Sequence, residues 1–201
     1  MLPSNQSALF SLCTSILLLC VSGAGLDSFI SSGIVPDVIS SPPQSVLQVT
    51  YNNGLTVNFG NELSRQQMMN RPSVSWNADP NSLYTLIFTD PDAPSRANPT
   101  SREFKHWVVV NIPGNNVTQG QEVAGYRPAG PGQGSGLHRY VFLIYKQNRK
   151  IDAGFNTPSK STDARPGFNT NGFAQQKQLT LVAGNYFMCQ YHQGDENLLV
   201  L

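Results

Sequence analysis

Alternation marks the first patterned stretch of the chain. From Ser45 to Tyr51, Leu47, Val49 and Tyr51 fall on one face and Val46, Gln48 and Thr50 on the other, a period of two that predicts a half-buried strand. Asn52-Asn53-Gly54 follows, and Asn and Gly accept the positive φ of a tight turn; Leu55-Thr56-Val57-Asn58-Phe59 then alternates again, so a hairpin is predicted across 45–59. Three near-continuous apolar runs come next, Leu83–Thr89, His106–Ile112 and Arg139–Lys146. Each is short, rich in β-branched or aromatic residues and bounded by Pro or Gly, as expected for central strands. A last run, Gln178–Gln190, is interrupted at Ala183-Gly184-Asn185. No helical periodicity of useful length separates the central runs, which argues against parallel βαβ units; a short helix is expected only around 173–177. Residues 25–44, rich in Ser, Gly and Pro, read as an amphipathic start or a loosely packed lead-in. The pattern therefore predicts a mainly β chain, an antiparallel β-sandwich with long loops and a few short peripheral helices.

Composition narrows the function classes. The chain has 201 residues, 12% charged, with 17 Gly and 14 Pro, which favours many turns between short strands over a helical bundle. Thirteen Lys and Arg against twelve Asp and Glu give a net charge of +1, and no basic stripe is present, so no nucleic-acid partner is expected. Near the start, Ala8 to Val21 reads ALFSLCTSILLLCV, apolar and uncharged, followed by the small residues Ser22-Gly23-Ala24. This predicts a secretory signal over residues 1–24, cleaved before Gly25, with 25–201 as the mature domain. A signal-anchor helix is disfavoured because the run falls short of the ~20 residues that span a bilayer, and no basic cluster follows. Cleavage removes Cys13 and Cys20 and leaves Cys189 in the apolar run Tyr186-Phe187-Met188-Cys189, so a buried thiol and no intrachain disulfide are expected. Asn116-Val117-Thr118 is a glycosylation sequon just after the turn signal Pro113-Gly114-Asn115, which predicts an exposed site.

Two segments carry chemistry. Thr89-Asp90-Pro91-Asp92-Ala93-Pro94-Ser95-Arg96 leaves a central strand with two acids and two prolines within five positions. Proline fixes φ and restricts the residue before it, so the loop is stiff and presents its carboxylates at defined angles, although Asp-Pro also occurs in ordinary turns. His106 begins the next central strand. His138 begins another, directly after Gly130-Pro131-Gly132-Gln133-Gly134-Ser135-Gly136-Leu137. A lone strand-end histidine usually bonds backbone; two of the three histidines at equivalent strand starts, each beside an unusual loop, point to convergence with Asp90 at one rim of the sheet. Imidazole N–H groups donate to phosphate oxygens, a carboxylate fixes a neighbouring tautomer or accepts from a ligand amine, and glycines let backbone N–H groups approach an anion. Other chemistries fit worse. A strand rather than a helix follows the Gly run, no G-x-S-x-G elbow surrounds Ser135, and paired metal-ligand spacings are absent, so no metal or cofactor is expected. A hydrolase using Asp90 and His106 as acid and base lacks a visible nucleophile, and the chain is read as a non-enzyme.

At these residues the sequence resembles the phosphatidylethanolamine-binding protein family, also called the Raf kinase inhibitor protein family. The matching blocks are Leu83-Tyr84-Thr85-Leu86 running into Asp90–Arg96, Arg102-Glu103-Phe104-Lys105-His106-Trp107, and Gly134-Ser135-Gly136-Leu137-His138-Arg139-Tyr140, within a span from about Ser45 to Tyr191. The resemblance implies an antiparallel β-sandwich with a small metal-free pocket for phosphate head groups. By matching positions, Asp90, Pro94, His106, Gly130, Pro131, His138 and Tyr140 would line it, Phe104 would replace an aromatic wall residue, and Asp92 and Arg96 would shape the loop, Asp92 counting among the ligand-binding residues. The chain departs from the family at Pro128-Ala129-Gly130-Pro131-Gly132, where Pro128 lacks an N–H, at Ser101, often an aromatic, and after Tyr191, where the start of a closing helix is not matched. The expected function is a secreted binding protein for phosphate-type anions or phosphatidylethanolamine head groups. The alternative is an interaction protein that inhibits an extracellular protease or regulates signalling; a membrane surface is a further expected partner.

Overall fold

The structure is a computed structural model and describes residues 25–195; the expected signal over 1–24 and residues 196–201 lie outside the described residues. Eight strands follow in chain order: β1 (Ser45–Val46), β2 (Gln48–Thr50), β3 (Ser73–Ser75), β4 (Leu83–Asp90), β5 (Phe104–Pro113), β6 (Gln121–Ala124), β7 (His138–Gln147) and β8 (Thr180–Cys189). Six form one sheet in the order β1-β8-β7-β4-β5-β6, and β2 and β3 form a second, two-stranded sheet. All pairings are antiparallel except β1 with β8, so the large sheet is mixed at one edge.

The central runs are apolar at nearly every position because the large sheet is covered on both faces. Tyr84, Leu86 and Phe88 of β4 pack with Leu47, Val49 and Tyr51, which come from the β2 side. Ile87 of the same strand turns the other way, onto Phe29, Ile34, Val38 and Phe173. The Phe88 and Phe142 rings stack at 3.9 Å between centroids. Fully burying one such side chain is worth ~1.5–3 kcal/mol, and two covered faces leave no position for a solvent-facing polar residue.

Three expectations change. The 45–59 hairpin does not form as a ladder: Tyr51 N donates to Leu55 O at 2.8 Å and Val57 N to Val49 O at 3.0 Å, but the ladder partner of β2 is β3, with Val49 opposite Val74. The single strand expected over 45–51 divides at Leu47, one part joining the large sheet and the other the small one. The lead-in is well packed, not loose. Helical turns over 25–31 and Ile34–Asp37 bury Phe29, Ile34, Val38 and Ile39 completely or nearly so, because these residues cap the second face of the sheet.

The interruption at Ala183-Gly184-Asn185 is instead a continuous part of β8. A Cβ on Gly184 would lie 2.5 Å from Pro43 Cγ, so only glycine permits this close approach, while Asn185 Nδ2 donates to Leu47 O and Val57 O. The short helix spans Thr170–Lys177, starting earlier than expected because Asn169 accepts from Gly172 N as its N-cap.

That helix is tied to the sheet by Glu103, whose carboxylate accepts from Thr170 N and Thr170 Oγ1. Burial pushes the Glu103 carboxyl up to about 7, although both Thr170 bonds act in the opposite direction. The folded state thus holds the proton more tightly than the unfolded chain. Its stabilising contribution is full below an ordinary glutamate pKa of ~4.3 and is lost as pH rises through about 7. Between those limits stability is expected to fall by on the order of 3 kcal/mol, and Glu103→Gln to flatten that slope in chemical denaturation series; identical slopes in both proteins would refute this.

Candidate functional site

The topology itself brings the strand ends together. β4 lies between β7 and β5 and runs antiparallel to both, so its last residue sits beside the first residues of its neighbours; Asp90 is in register with Phe104. At this edge His138 Nδ1–H donates to Asp90 Oδ2 at 2.8 Å, and Asp92 N donates to Asp90 Oδ1 at 2.7 Å. The Tyr140 hydroxyl stands between the Asp90 carboxylate and Gly130 N; burial first, and then the Asp90 charge, push its pKa well up, so the phenol keeps its proton. The His138 and Tyr140 rings stack with 14° between planes, and the Tyr140 ring stands edge-on to His106.

A cavity of about 630 Å³ opens over this cluster. Asp90, His106, His138 and Tyr140 line its inner part, while Pro94, Phe104, Gly130 and Pro131 contribute walls. Pro128 and Ser101, two of the points of departure, also border it. Asp92 does not. Its fully buried carboxylate turns away to Arg139, accepting from the backbone N at 2.8 Å, from Nε at 2.9 Å and from Nη2 at 2.6 Å. Arg139 in turn donates to Asp37 Oδ2 and Ser32 O, and Arg96 Nη2 donates to Ser32 O. Asp92 and Arg96 therefore anchor the Asp-Pro loop to the N-terminal segment, and Asp92 is not placed to contact a ligand.

The two histidines differ chemically. Burial lowers His106 to about 4, against the pull of the Asp90 charge, so the ring is neutral near pH 7. Its Nδ1–H donates to Arg127 O at 3.0 Å, which leaves the Nε2 lone pair as an acceptor. His106 is thus suited to accept a hydrogen bond from a ligand ammonium or P–OH, whereas the sequence suggested N–H donation from both rings. His138 keeps its donor role at Nδ1, and its Nε2 stands 3.0 Å from Ser135 Oγ. Asp, His and Ser in this order resemble a hydrolytic triad, but the Ser135 hydroxyl donates to Gly132 O at 2.8 Å and Ser135 does not border the cavity. Among the described residues no group of three or more His, Cys, Asp or Glu side chains is placed to hold a metal ion.

Several lining residues escaped sequence reasoning. Tyr126, Arg127 and Lys160 come from loops without a distinguishing pattern, and Arg65 comes from a single 3-10 turn, Arg65–Met68. Ser64 and Gln67 have the spacing of a capping box and so foretell a helical turn, but nothing local says where Arg65 points. Cys189 is a buried free thiol, pushed up to about 12 by burial.

A sequence model of the phosphatidylethanolamine-binding protein family matches residues 45–187. The chain belongs to this family. It is 46% identical over 164 residues to a 26 kDa secreted antigen of Toxocara canis, covering 81% of this chain and 63% of the relative, so it spans less than two thirds of that protein. It is 33% identical over 162 residues to the putative odorant-binding protein A5 of Drosophila melanogaster, covering 80% of this chain and 77% of the relative. Among solved structures, carboxypeptidase Y inhibitor in complex with its cognate proteinase superposes with a TM-score of 0.73 at 29% identity, covering 85% of this chain and 97% of that one. The mostly β fold, one large mixed sheet with few short helices, is that of the phosphatidylethanolamine-binding proteins.

Proposed function

We propose that the protein is a secreted, non-enzymatic binding protein whose cavity takes a phosphate-type anion, including the head group of phosphatidylethanolamine. The observation that carries this reading is the Asp90–His138 hydrogen bond at the cavity floor, where the carboxylate orients an imidazole beside the glycine loop. His106 Nε2 complements it as an acceptor for the ethanolamine ammonium. Secretion is supported by the uncharged leader and by the secreted antigen among the relatives. Asn116 is exposed, as a glycan acceptor must be.

Calorimetric titration with phosphoethanolamine tests the reading. Binding is expected to be weak, since few contacts offset the cost of ordering and desolvation, and His138→Ala, which uncovers the Asp90 carboxylate towards an incoming anion, should reduce affinity at least about tenfold. No heat at millimolar ligand, or an unchanged affinity in the variant, would reject it.

A second reading, inhibition of an extracellular protease, is favoured by the likeness to carboxypeptidase Y inhibitor. Peptidase assays distinguish the two: inhibition that persists in His138→Ala supports a separate inhibitory surface, and no inhibition at micromolar protein removes this reading.

A further inference from the structure

One wall of the cavity is built by a cation that the strand-end cluster does not supply. Arg65 opens its 3-10 turn after Ser64, whose backbone N donates to Gln67 Oε1 at 2.8 Å; the Tyr126 hydroxyl donates to Met68 O at 2.7 Å and pins the turn to the loop that follows β6. The residue is only 7% exposed and borders the cavity. Its Nη2 and Nε lie 3.6 and 3.9 Å from the point a Cβ would occupy on Gly130, so the guanidinium lies against the glycine loop. Nη1 reaches Asp195 O at 3.5 Å, but Nε has no hydrogen-bond partner, and no ion pair to Arg65 exists among the described residues.

A buried donor with no acceptor is costly. An incoming oxyanion would satisfy it. Charge around the cavity points the same way: Arg65, Arg127 and Lys160 line it, against Asp90 alone. The Asp90 oxygens are already engaged by His138 and Asp92 N, so that carboxylate is partly neutralised towards a ligand. A phosphodiester offers two unsubstituted oxygens and one negative charge. A phosphomonoester offers three oxygens and nearly two charges above its second pKa of ~6, and the planar guanidinium fork matches such an oxyanion.

We propose that Arg65 is an anion-binding residue of this cavity and directs it towards doubly charged phosphomonoesters in preference to singly charged phosphodiesters. The inference rests on the phosphate-site reading above and specifies the ligand class of that site. It assigns Arg65 direct contact with a phosphate oxygen, next to Gly130.

Titration calorimetry at pH 8 and constant ionic strength compares glycerol 3-phosphate with glycerophosphoethanolamine. The monoester should bind roughly tenfold more tightly, the worth of one additional charge-assisted contact. In Arg65→Met both esters should bind more weakly, the monoester losing more, so that the preference shrinks to less than about threefold, and Arg65→Lys, which keeps charge without the fork, should fall between. The wild-type comparison stands alone if Arg65→Met fails to fold. Equal affinities in the wild type, or a preference undiminished in a folded Arg65→Met, overturn the inference and leave the phosphate site intact. No binding of either ester overturns both. Vesicles of phosphatidylcholine carrying phosphatidic acid or phosphatidylethanolamine distinguish the source: selective capture by phosphatidic acid assigns a lipid head group, and soluble binding without capture assigns a free phosphomonoester. Selective capture by phosphatidylethanolamine overturns the proposal.

Discussion

Arg139→Met is expected to lower the unfolding free energy by about 3–5 kcal/mol. Arg139 and Asp92 are both fully buried, and three of the arginine's N–H groups converge on one carboxylate. Deleting the guanidinium removes two of those three bonds and leaves the buried Asp92 charge with the backbone N–H of residue 139 and the more distant Arg102 Nη2 at 3.8 Å, which offset its desolvation cost only in part. The pH dependence follows from the native pair. Burial raises the Asp92 carboxyl, but the Arg139 bonds and charge outweigh it, so the net shift is downward. A depressed pKa contributes stability that is present above the unfolded value of ~3.9 and disappears as pH falls through the folded value. In Arg139→Met the under-compensated Asp92 is instead relieved by protonation, so the penalty should be greatest near pH 7 and shrink towards pH 4. Urea denaturation across that range measures both effects. A loss below about 1 kcal/mol at pH 7, or one independent of pH, would show that the pair does not hold the loop. An apolar pair at both positions should cost less than Arg139→Met alone, since no orphaned charge remains.

The second large effect is expected at Arg165, which binds only backbone oxygens. Nε donates to Ser161 O at 2.6 Å, Nη1 to Lys105 O and His106 O at 2.9 and 3.2 Å, and Nη2 to Gly125 O, Pro158 O and Ser159 O at 2.8, 2.9 and 3.2 Å. Burial lowers its pKa to about 10, which still leaves it charged at neutral pH. This side chain staples the 158–161 loop to the start of β5, and Ser159, Lys160 and Thr162 of that region form a cavity wall. Removing the charge recovers its desolvation cost, but the Lys105 and His106 carbonyls lose a donor where water does not easily reach. The second effect is larger, because bonds to a charged donor contribute ~1.5–3 kcal/mol each and six acceptors depend on it. Arg165→Met should therefore destabilise by at least about 2 kcal/mol and speed amide exchange over 158–165. Unchanged exchange with a loss under about 1 kcal/mol would overturn this account.

Arg139 and Arg165 also mark where sequence legibility ends. Both sit in ordinary-looking surroundings, one at the start of an apolar strand and one in a polar loop, and neither position has a periodic signal. Arg65 is similar: its turn can be read from Ser64 and Gln67, but its direction depends on Tyr126, which is 61 positions further along the chain. Asp92 illustrates the converse. Its place in the Asp-Pro-Asp loop suggests a ligand residue, and only the packing of Arg139 beneath the loop shows that the carboxylate faces inward.

By itself the sequence determined the central strands, because both faces of β4, β5 and β7 are buried and apolar residues must then fill both sets of alternate positions. It also placed Asp90, His106 and His138 at strand ends beside stiff or glycine-rich loops, since Pro and Gly act through their own backbone. Tertiary structure alone decided that β2 pairs with β3 in place of the nearby 55–59 segment, that β4 lies between β5 and β7, and that Arg65 faces the cavity while Asp92 does not. Local periodicity specifies which face of a segment is buried; which distant segment buries it is set by packing and charge pairing across the sheet, and these have no local period to read.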